Sequence, residues 1–193
     1  MLEMLSGLDK TIFLFINSTL SNNFFDNFFT LITNGRFWIL PGIAAALIFI
    51  WRQKKKALVI IGLALITVSI SDPVCNRIIK PAVHRLRPCN PHVNIEGGRF
   101  LLGRKTSLSF PSSHAMNIFA QAMLFSLFYR KKTAWFFLFA SIIGYSRIYT
   151  GAHYPFDVLG GAVFGICIGA IVFYSYVFIL NKTRNRFQTG IPD

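Results

Sequence analysis

Acidic residues are scarce in this chain: seven Asp and Glu stand against 20 Lys and Arg, a net charge of +13 over 193 residues. Such an imbalance calls for an anionic partner. The basic residues are interleaved with apolar runs instead of gathered on a polar domain, which fits a membrane surface or an anionic substrate and argues against nucleic acid. Cysteine is also sparse. Cys75, Cys89 and Cys167 are too few and too scattered for a disulfide framework, and no Cys-x-x-Cys pair is present to hold zinc. The opening segment, MLEMLSGLDKTIFLFINSTLSNN, lacks a basic n-region and a small-residue cleavage site, so it does not read as a removed signal peptide. Internal repeats and low-complexity tracts are missing as well.

What is abundant is apolar side chain. Hydrophobic residues make up 53% of the sequence and aromatics 16%, and the mean hydropathy of +0.51 exceeds what a soluble domain of this size needs to fill its core. The expectation is an all-α fold, a polytopic transmembrane helix bundle forming one domain over residues 1–193. Residues 158–180 are 23 positions without a charge, long enough to cross about 30 Å of hydrocarbon. Four shorter segments, 37–51, 57–71, 111–129 and 133–146, complete a five-span reading, with a sixth span open.

Basic clusters bracket these segments: Arg52, Lys54, Lys55 and Lys56; Arg130, Lys131 and Lys132; Lys182, Arg184 and Arg186. If the spans alternate, all three clusters share one side, the cytoplasmic side by the positive-inside rule. The other side carries nine basic residues against these ten, so orientation rests on the tightness of the clusters. Residues 1–33, where aromatics alternate with Asn, Ser and Asp26, are expected to form interfacial helices. Residues 80–110, punctuated by Pro81, Pro88, Pro91, Gly97, Gly98 and Gly103, read as a long extracytoplasmic loop, and loops of that length are often functional.

Three motifs fall on the side opposite the basic clusters. Lys80-x6-Arg87-Pro88 follows the second span, Pro111-Ser112-Ser113-His114 opens the third, and Ser146-Arg147-x5-His153-x3-Asp157 joins the fourth to the fifth. Each residue type suits a phosphate. Lys80, Arg87 and Arg147 can neutralise a tetrahedral dianion. Ser112 and Ser113 stand at a helix start, where free backbone N–H groups favour anions. With Pro155 as a first-turn residue, Asp157 can accept a hydrogen bond from His153 and leave the other ring nitrogen free to attack, while His114 remains as a proton donor to the leaving oxygen.

Taken together, the three motifs over residues 80–157 resemble the signature of the type 2 phosphatidic acid phosphatase family, whose phosphate site is shared with vanadium haloperoxidases and bacterial acid phosphatases. The resemblance implies a metal-independent, cofactor-free membrane phosphatase. In it His153 would be the nucleophile that forms a phosphohistidine, Asp157 would orient it and His114 would protonate the leaving group. Lys80, Arg87, Ser112, Arg147 and the amide of Ser113 would hold the phosphate. Its substrate would be an anionic lipid phosphate at the outer face of a bacterial inner membrane: lipid A 1-phosphate, undecaprenyl pyrophosphate, phosphatidylglycerol phosphate or phosphatidic acid, with the envelope lipids favoured. A lipid-to-lipid phosphotransferase, or a non-catalytic lipid-phosphate binder or transporter, would use the same pocket. Two features depart from the family: Ser113 stands where Gly is usual, and membrane members commonly have six spans. Arg99, Arg104 and Lys105 are expected to make the mouth of the site basic.

Overall fold

The computed structural model describes residues 2–189; the side chains of residues 2–3 and 186–189, Arg186 of the third basic cluster among them, lie outside the described residues. Helix α1 (Leu2–Leu14) runs into a π-helical turn, Phe15–Thr19, and α2 (Asn23–Thr33) begins where the Asn22 side chain accepts the Phe25 N–H at 2.9 Å. After α3 (Ile39–Gln53) the chain reverses at Lys54 alone into α4 (Lys55–Val83). Pro73 lies inside α4 and cannot donate to the helical ladder, and a π-helical stretch, Val74–Ile79, follows it. His84, in the left-handed region at φ 52°, ends the helix. Helices α5 (Ser113–Phe128), α6 (Thr133–Tyr149) and α7 (Pro155–Thr189) complete the bundle.

Close approach of α5 and α7 is written in a glycine row. A Cβ on Gly161, Gly165 or Gly169 would stand 2.7 Å from the Ser112 carbonyl oxygen, 2.3 Å from that of Met116 and 2.3 Å from that of Ala120. These glycines recur every four residues, so they share one helix face and let backbone meet backbone. The apolar pattern is inverted relative to a soluble core. Large hydrophobics such as Leu40, Leu47, Trp51, Ile171 and Phe178 point outward, whereas Asp9, Asn17, Thr67, Ser71, Lys80, Arg87, Arg147 and Asp157 are buried.

Helices α3 to α7 coincide with the five segments read as spans, but only three described helical stretches, Gly35–Gln53, Lys55–Val83 and Pro155–Asn185, are long and apolar enough to cross a membrane. At 16 and 17 residues, α5 and α6 stand at the short limit of the ~17–25 that spans use. The expected loop at 80–110 begins later than its sequence suggests, because Lys80 still belongs to the last turn of α4. Lys56 lies over the Tyr129 ring at 4.8 Å, which puts the 52–56 and 130–132 clusters at one end of the bundle. Lys80, His114, Arg147 and the α6–α7 loop are at the other.

Candidate active site

Beyond His84 the chain is extended, pinned by an isolated antiparallel bridge between Leu86 and Leu108 and by the Ser109 N–H donating to the Arg85 carbonyl at 2.7 Å. In extended backbone alternate residues share a face, so Arg85 and Arg87 turn the same way. Arg87 donates through Nη1 to His153 Nε2 at 2.9 Å and to the Ala152 carbonyl at 3.2 Å, and through Nε to the Ser107 carbonyl at 3.2 Å. Arg85 forks between two carboxylates, 2.8 Å from Asp157 and 2.5 Å from Asp9.

His153 follows a tight turn. Gly151 adopts φ 79°, and a Cβ there would stand 2.1 Å from the Arg99 carbonyl oxygen. The amides of Ala152 and His153 both donate to the Arg147 carbonyl, at 3.0 and 3.1 Å, which fixes the loop against the end of α6. Asp157, in the first turn of α7, accepts from the Tyr154 amide at 2.9 Å and from the Ser109 hydroxyl, and its Oδ2 lies 3.5 Å from His153 Nδ1. Guanidinium only donates, so the nitrogen facing Arg87 carries the lone pair and Nδ1, facing Asp157, carries the proton. Burial above all, and then the positive charge of Arg87 and Arg147, outweigh the opposing pull of Asp157 and push the His153 pKa down to about 3. At neutral pH the ring is therefore an uncharged base.

In front of Arg87 lies a cavity of about 540 Å³ lined by Lys80, Arg87, Lys105, Ser113, His114 and Arg147 at one end, and by Asp72, Asn76, Ser107, Asn117, Ile118, Gln121 and Ile143 elsewhere. Lys80 Nζ donates to Ser113 Oγ at 2.8 Å and to Asn76 Oδ1 at 2.9 Å. Arg147 donates to the Thr33 hydroxyl at 2.5 Å, and its buried Nε has no partner among the described residues. A buried N–H donor without an acceptor is costly, and an anion is the kind of partner that would satisfy it. Burial lowers the pKa values of both Arg87 and Lys105, and for Lys105 the neighbouring Arg147 and Arg87 add to it, as expected of cations crowded together out of water.

The residues singled out from sequence do not all stand alike. Lys80, Arg87, Ser113, His114 and Arg147 line the cavity, His153 lies directly behind Arg87, and Asp157 lies behind His153. Ser112 is fully buried and serves as the N-cap of α5, its hydroxyl accepting the Ala115 N–H at 3.5 Å. The Ser113 hydroxyl is neither idle nor free, since it accepts from Lys80 and donates to Asn76 at 3.0 Å. Of the three cations expected at the mouth, only Lys105 reaches the cavity. Arg99 is paired with Asp26, and Arg104 lies over the Phe100 ring at 5.1 Å.

Sequence reasoning missed Arg85, Asp9, Ser109, Asn76 and Asn17. Asn17 donates to the Arg99 and Tyr149 carbonyls at 2.8 and 2.7 Å and ties the N-terminal helices to the 84–110 segment and the end of α6. Asp9 carried no local signal, because Lys10 beside it offers a nearer cation than Arg85.

Comparison with known proteins agrees with this geometry. The family described as the PAP2 superfamily matches residues 56–180. The chain is 34% identical to a lipid A 4′-phosphatase of Bacteroides thetaiotaomicron, over 100% of this chain and 85% of that one. It is 30% identical to a lipid A 4′-phosphatase of Porphyromonas gingivalis, over 94% of this chain and 78% of that one. The crystal structure of LpxE from Aquifex aeolicus superposes with a TM-score of 0.67 at 27% identity, over 85% of this chain and 93% of that one. With membrane-spanning helices, a cation-lined cavity and relatives of this kind, the chain belongs to the PAP2 superfamily and is an integral membrane lipid phosphatase.

Proposed function

We propose that the protein hydrolyses a phosphomonoester of a lipid A-type substrate through a phosphohistidine on His153. The observation that carries this reading is the 2.9 Å contact between Arg87 Nη1 and the unprotonated Nε2 of a buried, neutral His153, beside a cation-lined cavity. A phosphate entering the cavity takes up the donors of Lys80, Arg87, Lys105 and Arg147. Arg87 then turns from Nε2 to a phosphate oxygen, which uncovers the lone pair.

Attack forms the N–P bond as the P–O bond to the lipid breaks, and His114, which takes up a proton once the bound phosphate offsets the neighbouring cations, gives that proton to the departing oxygen. Asp157 holds the Nδ1 proton and balances the positive charge that develops on the ring. Water, deprotonated by the now neutral His114, attacks phosphorus from the side the lipid has left, and inorganic phosphate leaves with Nε2 restored. Four cations supply the charge neutralisation that a metal would supply elsewhere, so the reaction proceeds in chelator.

Relatives acting on lipid A support the substrate assignment, and the 52–56 and 130–132 basic clusters at the far end of the bundle support an orientation with the site at the periplasmic face of a bacterial inner membrane. In this reading α3 to α7 are the five spans of a single domain covering residues 1–193. Residues 1–33 form helices at the interface, their outward Met4, Leu8, Phe24 and Phe28 against lipid and their Asp9 and Asn17 against the protein.

The test is phosphate release in detergent with EDTA, from lipid A, phosphatidic acid, phosphatidylglycerol phosphate and undecaprenyl pyrophosphate, by wild type and His153→Ala. Release from lipid A that disappears in the variant, with an acid-labile, alkali-stable phosphoenzyme trapped in wild type and vanadate inhibiting, is the expected result. Release by His153→Ala at the wild-type rate, or none by wild type, overturns the mechanism.

A further inference from the structure

The cavity has two chemically opposite ends, and the assigned mechanism uses one. Along α4 the residues Asp72, Asn76 and Lys80 stand one turn apart, and along α5 so do Ser113, Asn117 and Gln121; all six line the cavity. Lys80 and Ser113 belong to the phosphate end. Asn76 is occupied there as well, accepting from both and donating through Nδ2 to the Asp72 carbonyl at 3.1 Å.

The other three residues belong to the cavity lining and carry acceptors that no donor among the described residues satisfies. A carboxylate only accepts, so Asn117 faces Asp72 Oδ1 with its amide nitrogen, at 3.4 Å, and its Oδ1 is buried without a partner among the described residues. Gln121 uses its amide nitrogen on the Ala64 carbonyl at 2.9 Å, which leaves its amide oxygen over. Asp72 Oδ2 has no hydrogen-bond partner among the described residues, because Lys80 bonds Asn76 and Ser113 instead. Three acceptors without a donor make a wall that neither phosphate oxygens nor hydrocarbon can satisfy.

Position tells which part of the substrate meets this wall. Asn117 lies three residues beyond His114 on the same face of α5, with Gln121 a further turn along. In-line displacement puts the leaving oxygen opposite His153 Nε2, beside His114, so the wall continues on the leaving-group side.

Resting on the phosphatase reading above, we infer that Asp72, Asn117 and Gln121 form a leaving-group subsite for hydroxyl or amide N–H donors next to the phosphate ester, as in a sugar or polyol phosphomonoester. A diphosphate is disfavoured, because its leaving phosphate would face the Asp72 carboxylate. A phosphate on a fully esterified glycerol has no donor to offer.

A matched pair of probes tests this: 1-O-hexadecyl-glycerol 3-phosphate with a free 2-hydroxyl, and its 2-O-methyl ether, which lacks only the donor. Farnesyl diphosphate is the third probe, and each is assayed with wild type, Asp72→Asn and Asn117→Leu. The expected wild-type kcat/KM ratio of hydroxyl to methyl ether is at least about 10, falling severalfold toward 1 in Asn117→Leu, and Asp72→Asn gains on farnesyl diphosphate relative to the hydroxyl probe. A wild-type ratio near 1, or a wild-type ratio that both variants keep, overturns the subsite while leaving the phosphatase reading standing. If one variant fails to fold, the wild-type ratio and the other variant still decide. Absence of release from every probe and from lipid A overturns both.

Discussion

Replacing Asp9 by Asn tests whether the N-terminal helix is part of the catalytic apparatus. Asp9 is fully buried and bonds to no cavity-lining residue: it accepts from Arg85 at 2.5 Å and from the Phe156 amide at 2.9 Å, while the same guanidinium holds Asp157 at 2.8 Å. Asparagine keeps the shape and the bond to Phe156 but removes the charge that faces Arg85. Hydrogen bonds to charged groups contribute about 1.5–3 kcal/mol. The Arg85 side chain is 26% exposed, so water recovers part of the loss and the low end, about 1.5 kcal/mol, applies.

Because one guanidinium serves both carboxylates, a loss of that order is transmitted to the placement of Asp157 and through it to His153. A loss of ~1.4 kcal/mol at the transition state is a tenfold drop in kcat. KM should stay within about twofold, since neither Asp9 nor Arg85 lines the cavity. The assay is steady-state phosphate release with kcat and KM resolved, alongside thermal unfolding in the same detergent. A double-mutant cycle with Asp157→Asn should show coupling of roughly 1 kcal/mol or more. Wild-type kcat in Asp9→Asn, a change confined to KM, or zero coupling to Asp157 would refute the relay.

Three other outcomes are expected. The folded His153 pKa of about 3 lies below the ordinary 6.5, so the unfolded chain binds a proton that the folded one does not; stability from this group is full above pH 6.5 and is lost as pH falls toward 3. Wild-type Tm should therefore decline relative to His153→Gln between pH 6.5 and 4, and a constant difference would contradict a neutral buried ring. Gly165→Ala places a Cβ 2.3 Å from the Met116 carbonyl oxygen; parting α5 from α7 should cost about 1–3 kcal/mol and lower Tm, and an unchanged Tm would show that the helices yield freely. Ser113→Gly removes one of the two bonds to Lys80 Nζ and should raise KM a few-fold, for about 1 kcal/mol; an unchanged KM would show that Asn76 alone positions the lysine.

How much of this could be read beforehand depends on the range of the interaction. Hydropathy and the three motifs are local in sequence: the run at 158–180, the Pro-Ser-Ser-His helix start and the Arg-His-Asp spacing declare a membrane helix, a cap and a first-turn carboxylate from neighbouring residues alone. Helix alternation then brings the motifs to one end. Asp9 was not legible, because its partner Arg85 lies 76 residues away and the contact depends on α1 folding back over the 84–110 segment. Which of the two serines caps was not legible either. Hydroxyls one position apart at a helix start face different ways, and in the structure the Ser112 hydroxyl caps α5 while that of Ser113 accepts from Lys80.

Composition, hydropathy and motif spacing thus determined by themselves that the chain is helical and membrane-embedded, and they gathered a candidate phosphate-handling set of Lys, Arg, His and Asp. Tertiary structure alone decided which cations and which acceptor-bearing residues line the cavity, and which ring nitrogen of His153 carries the proton. The reason is physical: propensity and hydropathy act over a few residues, whereas burial, ion pairing and tautomer state are set by groups that only folding makes neighbours.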